Sequence, residues 1–280
     1  MKRLLLILLL TTGLFAQNPP AQPAQTMPPD TKAPPAVADA PAQPGEDPGA
    51  ARARRLISEM IQALGGRAYL TYTTVQQQGR TYGFSRGEPA GSGAPFWRFY
   101  QWPNKERTEL LKTREWIIVF NGDRGWERTY HGVSPVEKED LQDYLRRRHY
   151  SLENVLRNWI NEPGIAFFYE GVATAGRHPA EQVSLLNIRN EGVTIYIDQN
   201  TRLPIMKKFT WRDPETRERV EESELYDNYK SVQGIMTPQA TTRARNGLNT
   251  NQRFISSITY NQPLPETLFQ PPAQAEQKRN

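Results

Sequence analysis

The sequence contains no cysteine. That excludes a disulfide-stapled scaffold and a thiol nucleophile, leaves no site for a lipid anchor behind a leader, and makes the fold depend on its hydrophobic core. Only three histidines occur, His131, His149 and His178, and their scatter gives no metal-ligand spacing. After residue 16 no apolar run exceeds the length of a strand, against the roughly 20 residues that span a bilayer. Aromatic side chains are missing from residues 16–68, since Phe15 stands alone and all others lie between Tyr69 and Phe269. One aromatic-rich core accounts for that distribution.

What is present begins with Met1-Lys2-Arg3, an apolar stretch over residues 4–10, and smaller residues up to Ala16. Basic, apolar and small segments in that order form a secretory signal peptide over residues 1–16 and place the mature chain in the periplasm, with no transmembrane segment. Retention of the leader as an anchor stays open, because Leu14 and Ala16 make only a fair cleavage site. Residues 17–49 hold ten of the 23 prolines and no aromatic, which is too little burial to offset the entropy of ordering, so they read as a disordered linker. The domain proper is expected over residues 50–272, with a disordered tail over 273–280. The net charge of +5 is modest, and basic residues alternate with acidic ones except at Arg146-Arg147-Arg148. For an exported chain nucleic acid is excluded as a partner. The arginine cluster suits a solvated helix end, with anionic lipid or envelope polymer as the alternative.

Ala53, Leu56, Ile57, Met60, Ile61 and Leu64 repeat at helical spacing, and Gly65-Gly66 stops that helix. From Tyr69 to Tyr130 the period becomes two, giving a strand meander with a tight turn at Asn121-Gly122. Ser134-Pro135-Val136-Glu137 reads as a capping box opening a second helix, and Ser151 as the cap of a third carrying Leu152, Val155, Leu156 and Trp159. Strands then run to Tyr260, with turns at Asp213-Pro214 and Asn246-Gly247. Eleven to thirteen strands and three helices result. The fold class is mainly β (α+β): an antiparallel sheet that must curl or be covered, an N-terminal helix, and an inserted helical lid.

At this point the residues resemble a known family. Tyr196-Ile197-Asp198 with Thr201, Leu203 and Pro204 is similar to a hairpin of the LolA/LolB-like superfamily of periplasmic lipoprotein carriers, the outer membrane lipoprotein-sorting proteins. So is the series Tyr226, Tyr229, Val232, Gly234-Ile235 and Pro238, followed by Ile258, Asn261, Pro263-Leu264 and Phe269-Gln270-Pro271. The resemblance covers roughly residues 50–272 and rests on the order of these motifs. It implies an open, curved antiparallel half-barrel lined by apolar side chains, lidded by helices, and used in lipoprotein sorting, transport and outer membrane biogenesis. Lacking a cysteine to lipidate, the chain compares best with the soluble branch. That branch latches its lid with a sheet arginine, for which Arg98 and Arg107 are both open.

Candidate chemistry is sparse. Gly83-Phe84-Ser85-Arg86-Gly87 matches a hydrolase elbow, but a loop rather than a helix follows it, so a serine hydrolase at Ser85 ranks last. Glu221, Glu222 and Glu224 read as a solvated strand face, and Asp198-Gln199-Asn200 as a hairpin turn rather than a calcium loop. The expectation is therefore a non-enzymatic, monomeric carrier or receptor for an acylated lipoprotein or lipid, with no cofactor and no metal. The alternative is an envelope protein-interaction or lipid-sensor module. The candidate ligand-binding residues of cleft and lid are Trp97, Phe99, Trp116, Ile118, Phe120, Leu156, Trp159, Ile195, Phe209 and Trp211.

Overall fold

A computed structural model describes residues 47–273. The expected leader, the linker as far as residue 46, and the tail from residue 274 lie outside the described residues. The chain opens with α1 (Pro48–Leu64), capped by Asp47, whose Oδ2 accepts from Ala50 N at 3.0 Å. Its six expected apolar positions are its six buried ones. Gly65 ends it with φ 121°, and a Cβ there would lie 2.3 Å from the Gly234 carbonyl oxygen, so both conformation and contact require glycine. A second short helix follows, α2 (Arg67–Thr71), where strand had been expected from Tyr69.

The first meander comprises β1 (Thr74–Ser85), the short β2 (Glu88–Pro89), β3 (Ala94–Gln101), β4 (Lys105–Leu110), β5 (Trp116–Asn121), β6 (Arg124–Thr129) and β7 (Gly132–Pro135). Then come α3 (Lys138–His149), α4 (Leu152–Arg157) and a 3₁₀ turn (Trp159–Asn161). The second meander is β8 (Ala166–Ala175), β9 (His178–Leu186), β10 (Gly192–Asp198), β11 (Pro204–Arg212), β12 (Arg219–Val232), β13 (Ile235–Arg245) and β14 (Leu248–Tyr260). Fourteen strands and four α-helices among the described residues exceed the expected number, because short elements carry little sequence signal. Ser134-Pro135 does not open a helix: Ser134 pairs with Glu127 and Pro135 with Trp126, so the segment forms an edge strand, where proline is tolerated. Helix α3 starts after Glu137 with Glu139 and Asp140 in its first turn and basic residues in its last, as the helix dipole favours.

All pairings in the sheet are antiparallel, in the order β7-β6-β5-β4-β3-β1-β14-β13-β12-β11-β10-β9-β8, with β2 beside β1. The sheet is not closed. Its two edges, β7 and β8, are consecutive strands, and the helical insertion is the chain that joins them. This is the open half-barrel with an N-terminal helix and inserted helices that the sequence implied. Helix α1 packs across β8, β9 and β13. With α4, the 3₁₀ turn and the inner faces of β8–β11 it forms one core, in which Met60, Val155, Leu156, Trp159, Leu185 and Ile195 are buried. On the convex side of β5, Ile117 and Val119 are buried, and a 3₁₀ turn (Glu266–Phe269) docks on β4 and β5 with Phe269 fully buried. The convex face of β5 is thus covered, although the strand is third from the edge.

Candidate functional site

Within the half-barrel lies a cavity of about 720 Å³, between the concave face of β1, β3–β5 and β11–β14 and helix α3. Register sets its lining. Val75, Tyr100 and Tyr260 form one row across β3, β1 and β14 near α1. One row further along stand Gln77, Arg98 and Thr108, and beyond those Thr81 pairs with Arg253 and Arg253 with Thr241. On the other side Glu224 stands between Lys207 and Arg243, and Glu222 between Phe209 and Arg245.

The cavity is amphipathic, which corrects the expectation of a purely apolar lining. Its apolar wall includes Tyr69, Tyr72, Val75, Tyr226, Met236 and Tyr260 on one side and Trp116, Ile118, Phe120 and Tyr144 on the other. Between them runs a belt of paired charges. Arg98 grips Glu106 with two bonds of 2.8 and 2.9 Å, a fork geometry among the stronger side-chain contacts. Burial pushes the Glu106 carboxyl up, but the Arg98 charge and hydrogen bond outweigh it and hold the group at about 2. Glu224 accepts from Arg243 at 3.1 Å and Tyr226 at 3.0 Å and lies 3.3 Å from Lys207. Burial opposes its ionisation too, and the Arg243 and Lys207 charges win, keeping it well below the usual carboxylate range. Glu222 and Glu224 are therefore not a solvated face. Period two turns them inward beside Phe209 and Lys207, while Glu221 faces outward to Lys208.

The arginine cluster at the end of α3 also turns inward. Arg148 donates to the Tyr100 hydroxyl and, at 2.8 Å, to the Pro103 carbonyl. Arg146 lies over the Trp211 ring at 3.5 Å and reaches Glu222 at 3.3 Å, and Arg245 bonds Asp143 at 2.9 Å. Burial, followed by the Arg243 charge, lowers Arg147 to about 10. The contacts tying helix to sheet thus come from both sides: Arg146 and Arg148 reach out from α3, and Arg245 of β13 reaches back to Asp143. Of the two sheet arginines considered, Arg98 is engaged with Glu106 and Arg107 bonds Glu109 at 2.6 Å.

The expected ligand-binding residues divide by position. Trp116, Ile118, Phe120 and Phe209 line the cavity. Leu156, Trp159 and Ile195 are sealed in the core, and Trp211 borders a second, more open depression of about 840 Å³ at the ends of β9–β12. Trp97 and Phe99 occupy the opposite face of β3, because Phe96, Arg98 and Tyr100 are the residues turned inward, and Trp97 carries Arg114 over its ring at 4.1 Å. Sequence reasoning missed the charged belt. Its signal was the alternation Glu222, Glu224, Tyr226 on one strand face, opposite Lys207 and Phe209 on the next.

Elsewhere the chemistry stays bare. Ser85 ends β1 and pairs with Glu88 of β2 across the turn Arg86-Gly87, a hairpin with no helix behind it. Among the described residues no group of three or more His, Asp or Glu could hold a metal ion, and no helix is long and apolar enough to cross a membrane. At the resemblance hairpin Asp198 Oδ1 accepts from the Asn200 and Thr201 amides at 2.9 and 2.7 Å, as a turn-forming aspartate does.

Comparison with solved structures bears on the architecture. A protein of the DUF1329 family from Desulfovibrio piger is similar over 78% of this chain and 97% of its own, at 10% identity and a TM-score of 0.51. The likeness is one of fold. A LolA superfamily protein from Nitrosomonas europaea has 12% identity, 78% and 97% coverage and a TM-score of 0.47. A domain assigned to outer membrane lipoprotein sorting from Vibrio parahaemolyticus has 9%, 76% and 97%, and 0.47. The last two bear names of the superfamily that the sequence resembles, and what the three share with this chain is the fold. No family model matches the chain, and no curated protein does.

Proposed function

We propose that the protein is a carrier or receptor for the acyl chain of a lipid or lipoprotein in the cell envelope, without catalysis, and that residues 50–272 are the unit that binds. The observation that carries this reading is the cavity of about 720 Å³ beneath α3, which lies within the size range of small-molecule sites and has an apolar wall on either side of its charged belt. Burial of an acyl chain contributes about 0.8 kcal/mol per CH₂, so area alone supplies affinity. Export through the leader of residues 1–16 and residence in the periplasm are part of the proposal. So are the fold's use in lipoprotein sorting and the monomeric state.

Mass spectrometry of an organic extract of the natively purified protein tests it. Acyl chains near one per protein are expected, and a lipid-free protein that also fails to take up added fatty acid would contradict it. A second reading draws on the sheet edge: among the described residues β8 has no strand partner on its outer side, and Phe168 and Val172 are exposed there. Such an edge suits docking of an envelope protein by strand addition. Lipid-free protein would favour it.

A further inference from the structure

Three hydrogen-bond donors lining the cavity lack an acceptor: Tyr144 Oη, Arg148 Nε and Arg253 Nε are buried and unpartnered among the described residues. Buried polar atoms are nearly always satisfied, so three exceptions around one space need a physical reason. All three can donate, and Arg148 Nε and Arg253 Nε can only donate. Two come from α3 and one from β14, and all three face the first meander. Tyr144 stacks on Phe120 of β5, Arg148 reaches Tyr100 of β3, and the Arg253 guanidinium lies over Phe96 of β3 at 5.4 Å.

Charge points the same way. Arg98 has Glu106, Arg147 has Asp143 and Arg243 has Glu224, whereas Arg253 has no carboxylate within ion-pair distance among the described residues. Lys207 shares Glu224 with Arg243, so that carboxylate answers two cations. On α4, Glu153 faces Arg148 and bonds the Tyr72 hydroxyl at 3.1 Å, away from Arg253. Burial, and then the Arg243 charge, draw Arg253 down to about 9, against the pull of Glu106 and Glu224, which are committed to Arg98 and to Arg243 and Lys207.

We propose that the occupant of the cavity is an amphiphile with an acidic headgroup, whose oxygens accept from Arg253 and Tyr144 while its chain lies along Ile255 and Tyr260 toward α1. This rests on the acyl-binding reading and names its substrate class. A carboxylate or a phosphate meets the same donors.

The test compares dodecanoate with methyl dodecanoate, equal in chain and different in charge, as competitors for a fluorescent acyl probe on the full chain. Wild type is expected to prefer the acid by about tenfold or more, the scale of a charge-assisted hydrogen bond lost from a desolvated site. Arg253→Gln should abolish that preference and Tyr144→Phe should reduce it, the ester losing less than the acid in both because it carries no charge. Urea midpoints should change little, because Tyr144→Phe keeps the Phe120 stack and Arg253→Gln trades the long contact with Phe96 for the loss of a desolvated charge. Equal affinity for acid and ester in wild type, or a parallel loss of both in the variants, overturns the headgroup assignment and leaves acyl binding standing. Binding of neither compound overturns both.

Discussion

Tyr144 of α3 lies flat on Phe120 of β5, with ring centroids 3.7 Å apart and planes within 4°. At the other end of the same helix Tyr150 stacks on Phe209 of β11, with centroids 4.2 Å apart, and Lys207 donates to the Tyr150 carbonyl at 2.7 Å. Helix α3 is thereby fastened to both meanders across the gap between the sheet edges. Replacing Phe120 with Ala should loosen only the first attachment. We expect a loss of about 1–2 kcal/mol in urea stability, from a half-buried aromatic pair. Hydrogen exchange should quicken in α3 and stay unchanged in α4, whereas uniform change across both helices would mean that they move as one body.

Trp159 tests that division from the other side. It had been assigned to a lid over the cleft, but it is 1% exposed within the core of α1, α4 and β8–β11. Trp159→Ala should therefore cost about 3–5 kcal/mol, as truncation of a buried aromatic does. Acyl affinity of the remaining folded protein should not change, because the covering element is α3. A stable variant with weakened acyl binding would return α4 to the lid.

The paired carboxylates predict an acid limb of stability. Glu106 is held at about 2 in the folded protein against an ordinary 4.5, and Glu224 is lowered as well. A depressed carboxyl contributes stability that is complete above its unfolded value and disappears as pH falls through the folded one, so the loss should run from about pH 5 down to about 2. Its size for Glu106 is on the order of a few kcal/mol. Glu106→Gln should flatten this limb and lower stability at pH 7, because Arg98 would keep a buried charge without its partner. Urea titrations of both proteins at pH 7, 4 and 3 measure it, and parallel curves would refute the assignment.

Ser85→Ala should be silent in every assay. The serine sits in a hairpin, between Glu88 across the turn and exposed glycine-rich chain, with no element to present it as a nucleophile. Fluorophosphonate labelling of the wild-type protein should fail, and stoichiometric labelling removed by the substitution would make the protein an enzyme.

Much of the fold was legible because its signals are local. The stripe of α1, the Gly65 stop, the Ser151 cap and the Asn246-Gly247 turn depend on residues within a few positions of one another. At that last turn both residues take positive φ, 50° and 79°, which asparagine and glycine tolerate. Ser134-Pro135 failed as a start signal because Glu127 and Trp126 supplied strand partners that no local window contains. Facing was the harder problem. Trp97 and Phe99 look like core by composition, yet a single-residue choice of phase puts Arg98 inside and both aromatics outside. Likewise Glu222 and Glu224 looked solvated because their partners Lys207, Arg243 and Arg245 come from neighbouring strands up to 23 residues away.

The central claim is that the cavity under α3 holds an acyl chain, and filling that cavity from within tests it most directly. Thr241 lines it opposite Arg253 on β13 and is half-buried, so a tryptophan there would project into the space without replacing a core side chain. Titration of a fluorescent fatty-acyl probe into wild type and Thr241→Trp, both first shown to share a urea midpoint, is the measurement. Saturable binding near one probe per wild-type chain, lost in Thr241→Trp, is the predicted result. Equal binding to the two proteins, or no saturable binding to wild type, would contradict the account.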